Sequence, residues 1–218
     1  ASLRGSPHGN DELERSFMVT EDYVVDLFHV RVQKERLPNA EFYGSPHGYY
    51  APWSAAPLPE KDEHTFDWML HGIGQQFADI PFAYEPSDEF RPSAWSYRWI
   101  AGERRRETDA SFYVDWVQKA GGLLPETTSY GPLRQEWFDG RAAVRMRMLG
   151  EPGTIVFLGD GPIKAGAVDT GNNPERRISL VCVRRKGTET LFTTLHEPYK
   201  TSPKIRKFAY LHRPGKGE

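Results

Sequence analysis

No stretch of this sequence sustains an apolar repeat of helical period. Short runs of β-branched and aromatic residues recur instead, separated by breaks rich in Gly and Pro. The chain has 20 Gly, 17 Pro and 13% aromatic residues, the profile of many strands joined by turns. The class this implies is all-β: an antiparallel β-sandwich with long loop insertions, built from a dozen or so strands. At 218 residues the chain can bury a good core. The expected organisation is a flexible segment over 1–13, one sandwich domain over 14–213 and a tail over 214–218.

The clearest strand is Tyr23 to Gln33, preceded by Arg15 to Thr20 across a Glu21-Asp22 turn. Alternation puts Val24, Asp26, Phe28, Val30 and Val32 on its more apolar face. Asp26 on that face requires a partner, because a buried carboxylate without one is costly. His64, His71 or an arginine are the partners on offer. Further strands are expected at Trp95–Ala101, Ser111–Gln118, Arg141–Leu149 and Thr154–Gly159, with loops over 73–93 and 159–176. A hairpin is expected from Arg177 to His196 through a Lys186-Gly187 turn, and an edge strand over 203–213. In the Arg141–Leu149 strand, Val144, Met146 and Met148 alternate with Arg145 and Arg147, which gives one apolar and one basic face.

The segment Asp62-Glu63-His64-Thr65-Phe66-Asp67-Trp68-Met69-Leu70-His71-Gly72 holds the densest collection of reactive side chains. Read as a strand, it places His64, Phe66, Trp68 and Leu70 on one face and Thr65, Asp67, Met69 and His71 on the other. Asp67 and His71 then lie about 13 Å apart, so neither can complete a site with the other directly. Asp26, His64 and His71 are ligand types that suit zinc, but their spacing fits no standard zinc motif. A polar network lining a groove is the favoured reading.

Residues 34–63 form a long insertion with five prolines and with Tyr49, Tyr50 and Trp53. Its aromatic content argues for a lid or a ligand-facing loop. His8 and His47 each sit in a Gly-Ser-Pro-His-Gly turn.

Net charge is −2, and Arg104-Arg105-Arg106 reads as a solvated strand end. Nucleic acid is not an expected partner. No run approaches the roughly 20 apolar residues of a helical membrane span, so no membrane partner is expected either. The single cysteine, Cys182, lies in an apolar strand and reads as a buried, inert thiol.

Four stretches together resemble the C-terminal β-region of heparinase II/III-like polysaccharide lyases. They are Tyr23–Phe28, His64–Gly72, Phe157–Pro162, and Val183–Gly187 leading into Leu191–Tyr199. The resemblance implies a secreted or periplasmic protein whose sandwich packs on a helical toroid. It also implies an acidic, uronate-containing polysaccharide as substrate and β-elimination as the reaction. Tyr and His usually serve as acid and base in that family, and a third group neutralises the carboxylate. The chain holds neither the toroid nor the His-x-His-x-Asp stretch that is tied to a structural zinc in some members. It is therefore expected to shape or support the cleft and to be inactive alone. The candidate contacts are His64, Asp67, Trp68, His71, Tyr49, Tyr50, Trp53, Arg145 and Arg147. A free-standing carbohydrate-binding module and a purely structural domain are the alternatives. His196-Glu197-Pro198-Tyr199 reads as structural: Pro198 ends a strand, Glu197 accepts from turn amides, and the Tyr199 hydroxyl is bonded.

Overall fold

The computed structural model describes residues 2–5, 11–32, 64–71, 76–78, 83–89, 100–117, 143–162 and 177–210. They form strands β1 (Ser2–Gly5), β2 (Asp11–Val19), β3 (Val24–Val32), β4 (His64–His71), β5 (Gln76–Ala78) and β6 (Glu85–Pro86). The series continues with β7 (Ala101–Thr108), β8 (Phe112–Val117), β9 (Ala143–Met148), β10 (Thr154–Pro162), β11 (Arg177–Gly187) and β12 (Glu189–Tyr199). One sheet has seven strands in the order β1-β2-β3-β12-β9-β8-β5, and the other has five in the order β4-β11-β10-β7-β6. Every pairing is antiparallel. The all-β sandwich expected from the sequence is the fold.

The core follows from the alternation. Val30, Phe112, Val114, Trp116, Met146, Met148 and Phe192 from the seven-stranded sheet meet Phe66, Trp68, Val156, Leu158, Val181 and Val183 from the five-stranded one. Each strand contributes every second residue, as a pleat facing a partner sheet requires. A second apolar cluster of Ile100, Phe157, Leu180 and Cys182, with Met69 and Ile155 against it, lies on the other face of the five-stranded sheet. That sheet is therefore buried on both sides. The Cys182 thiol is fully buried, and burial pushes its pKa up.

Several local expectations are corrected. Ser2–Gly5 pairs with β2, so residues 2–5 are an edge strand and not part of a tail. Residues 76–78 and 85–86 are short strands inside the expected 73–93 loop. Arg104–Arg106 lies inside β7, where Arg105 pairs with Glu89 and Glu107, and Arg106 Nη1 donates to the Ala83 carbonyl at 3.2 Å. β10 continues through Gly159-Asp160-Gly161 to Pro162, with a register shift between Leu158 and Asp160. A Cβ on Gly159 would stand 2.6 Å from Ile100 Cγ2, so any other residue at that shift would force Ile100 to move.

β11 and β12 do not form a hairpin. They belong to different sheets, and the chain crosses the sandwich between Gly187 and Glu189. The cause is Arg185, whose side chain fills the arch. Its Nε donates to Thr154 Oγ1 at 3.0 Å, its Nη1 to the Leu191 carbonyl at 2.9 Å, and its Nη2 to the Leu149 carbonyl at 2.9 Å. The guanidinium also stacks 4.8 Å over Phe192.

Residues 203–210 are not a strand either. Pro203 has no N–H to offer a ladder. The next two amides, of Lys204 and Ile205, donate to Glu197 Oε1 instead.

Candidate functional site

At the β2–β3 end of the sandwich, polar side chains replace apolar ones on the inner faces. In β3, Asp26 shares its face with Phe28 and Val30 and stands opposite Thr194 of β12. In β2, Arg15 faces Phe28 and Phe17 faces Asp26. Arg15 grips Asp26 in a fork, with Nε donating to Oδ1 at 2.9 Å and Nη2 to Oδ2 at 2.7 Å. The Asp26 side chain is 2% exposed and that of Arg15 39%. The pair therefore bridges the interior and the rim. The guanidinium also lies 5.0 Å from the Phe17 ring and 5.5 Å from the Phe28 ring.

β12 adds Thr194 and His196 to the same face. Thr194 Oγ1 donates to the Asp26 carbonyl at 3.4 Å, and His196 Nε2 lies 3.0 Å from that hydroxyl. A hydroxyl has one proton. Once it goes to the Asp26 carbonyl, Nε2 must be the donor and Nδ1 the acceptor. The opposite sheet contributes Trp68, stacked on His196 with centroids 6.3 Å apart. Trp68 Nε1 is a buried donor without a partner among the described residues. Burial is the main cause that pushes the His196 pKa down, and Arg15 adds to it against the opposing pull of Asp26. The imidazole is thus held neutral beside a fixed cation. Such a pair can receive a carboxylate at the guanidinium and accept a proton or hydrogen bond at Nδ1.

The structure distributes the expected site residues. Asp26 joins Arg15. His64 pairs in register with Gly187 and His71 with Leu180, so the two stand at opposite ends of β4, roughly 23 Å apart along an ideal strand. At that separation the two cannot ligate one ion together, and their side chains lie outside the described part of the structure. Trp68 is 2% exposed, which removes it as a platform for sugar stacking and leaves it as the wall behind His196.

Asp67 lies on the other face of β4, where Arg184 Nε and Nη2 donate to its two oxygens at 2.8 Å each. Arg145 likewise forks onto Asp115, with Nε to Oδ1 at 2.7 Å and Nη2 to Oδ2 at 2.6 Å. Tyr199 also donates to Asp115 Oδ2, at 2.9 Å. Arg147 lies on the same outer face and donates through Nη2 to the Ile205 carbonyl. Tyr49, Tyr50 and Trp53 fall outside the described residues.

Glu197 and Tyr199 behave as the sequence indicates, but β12 runs through Pro198 to Tyr199 instead of ending there. Arg15 and Thr194 are candidate-site side chains that the sequence reading does not single out, and His196, read there as part of a structural stretch, joins them. No protein-family model matches the chain, and no curated protein sequence matches it.

Proposed function

We propose that this chain is the β-sandwich of a heparinase II/III-like polysaccharide lyase. In that role it presents the Arg15–His196 rim to an acidic polysaccharide, and a helical domain supplies the catalytic groups. One observation carries the reading. The four stretches behind the resemblance lie far apart in sequence, yet they supply neighbouring strands. The first stretch and the latter half of the fourth form the β3–β12 pair, and the second, the opening half of the fourth and the third form the facing β4–β11–β10 set. Their side chains then converge on one cluster: Asp26 from the first, Trp68 from the second, and Thr194 and His196 from the fourth.

Two further features support it. Arg15 has a 39% exposed side chain, and the guanidinium hydrogens left over from its fork onto Asp26 suit a uronate carboxylate. Phe17, Met18, Val19 and Leu27 are the exposed large apolar side chains among the described residues, and all lie in β2 and β3. By alternation Phe17 and Val19 face the same way as Arg15, and Met18 and Leu27 face the other way. Exposed apolar side chains on both faces of this edge suit a packing partner and favour a domain that docks on a helical region over a free-standing module. Protein and substrate are expected outside the cytoplasm, in the periplasm or secreted.

The test is retention of the full chain on immobilised alginate, heparin and hyaluronan, with dextran as neutral control. At least one uronate polymer is expected to retain the chain and to release it by about 1 M salt, where screening extends to ~3 Å. Retention is expected to weaken in His196→Gln and in Arg15→Lys, which keeps the charge but loses the fork. Failure of all three acidic polymers to retain the chain, or equal retention by dextran, sinks the proposal.

A further inference from the structure

A second polar site lies on the outer face of the seven-stranded sheet. After β12, residues 200–210 cross that face without strand pairing. Glu197 anchors this segment through the Lys204 and Ile205 amides, and Arg147 holds the Ile205 carbonyl. The Tyr210 hydroxyl meets Thr193 Oγ1 at 2.9 Å. Where the segment passes β8 and β9, it closes a recess of about 180 Å³. Ser111, Tyr113 and Arg147 line one side, and Arg206, Lys207 and Phe208 the other. That volume equals roughly six waters of liquid, enough for a charged group and part of the ring that bears it.

The charges in and around the recess do not balance. Its lining has three cations and no acid. Asp115 is already forked by Arg145. Glu197 spends Oε1 on two backbone amides, while its Oε2 is buried without a hydrogen-bond partner among the described residues. Arg147 Nε is buried without a partner among the described residues. Burial and the neighbouring Arg145 disfavour the charged form of Arg147 and outweigh the opposing pull of Glu197, Asp115 and Tyr113. Arg206 and Lys207 are exposed, and neither meets a carboxylate among the described residues. An anion entering the recess would find a part-buried guanidinium with a buried, unpartnered Nε on one side and two exposed cations on the other.

We propose that this recess binds an oxyanion borne on a sugar, either a uronate carboxylate or a sulfate ester, with Arg147 as the deep contact and Arg206 and Lys207 at the mouth. The sugar assignment rests on the acidic-polysaccharide reading above, whereas the anion assignment rests on the recess alone. The site would grip a charged unit on the sheet face opposite the rim cluster.

The test is an amide-shift titration of the ¹⁵N-labelled full chain with galacturonate, glucose 6-sulfate, glucose and inorganic sulfate. Galacturonate or glucose 6-sulfate is expected to move the Ser111, Tyr113, Lys207 and Phe208 amides saturably, and the tighter of the two identifies the anion. Glucose is expected to leave them in place. The Arg206→Gln/Lys207→Gln variant changes only exposed side chains and is expected to weaken binding about tenfold. Shifts with glucose equal to those with the acids would overturn the proposal. So would no saturable shift with either acid, or unchanged affinity in the double variant. Inorganic sulfate binding as tightly as the sugar acids would overturn the sugar assignment. Polymer retention that survives while monosaccharide binding is absent removes the recess and leaves the rim reading standing.

Discussion

Arg185 shows how much one side chain can decide. It is 3% exposed, burial lowers its pKa, and Glu151 stands 3.4 Å away. Truncation would orphan the Leu149 and Leu191 carbonyls and open a void beneath Phe192. Arg185→Ala is expected to cost about 3–5 kcal/mol, read as a lower urea midpoint; a loss under about 1 kcal/mol would refute the arch account. His196 makes a pH-dependent case. Its folded pKa is lowered by burial, so between that value and the unfolded value near 6.5 the unfolded chain binds the extra proton. The stability contribution is therefore complete above about pH 6.5 and falls away as the pH drops towards the folded value. Melting curves at a series of pH values should show a smaller acid loss in His196→Gln than in the parent. Equal slopes would contradict the buried neutral imidazole.

At the scale of elements, close backbone approach sets two contrasting costs. A Cβ on Gly150 would stand 2.3 Å from the Ala110 carbonyl carbon and 2.4 Å from the Asp109 carbonyl oxygen, whereas the nearest clash at Gly159 is with a side-chain methyl. Gly150→Ala is thus expected to cost towards ~3 kcal/mol and Gly159→Ala nearer ~1 kcal/mol; chemical denaturation of both would expose a reversed order. The alternation in β3, β4 and β9 was legible because a period of two fixes which side chains share a face. It correctly grouped Val144, Met146 and Met148, and it marked Asp26 as needing a partner. It could not name Arg15, because that choice depends on the β2–β3 register. His196 was hidden for the same reason: Thr194 and His196 join Asp26 only once β12 lies beside β3. Lys186-Gly187 looks like a hairpin turn because a short Gly-containing link fits a hairpin and a crossing between sheets equally well. The buried Arg185 separates the two, and charge alone would have placed that residue outside.

For the whole molecule, the proposed function leaves catalysis to a helical region and binding to this sandwich. The full chain mixed with alginate, heparin or hyaluronan should give no rise in absorbance at the unsaturated-uronate band; a sustained rise would place the catalytic groups within these residues. The rim and the outer recess lie on opposite faces of one sheet, so binding at each has its own footprint. Hydrogen exchange with a bound uronate polymer separates them most directly. Slowed exchange is predicted over Arg15–Val19 and Thr194–His196, the strand segments that carry the cation and the neutral imidazole. Exchange at those amides unchanged by saturating polymer would contradict the proposal that this rim is where the sandwich meets its polysaccharide.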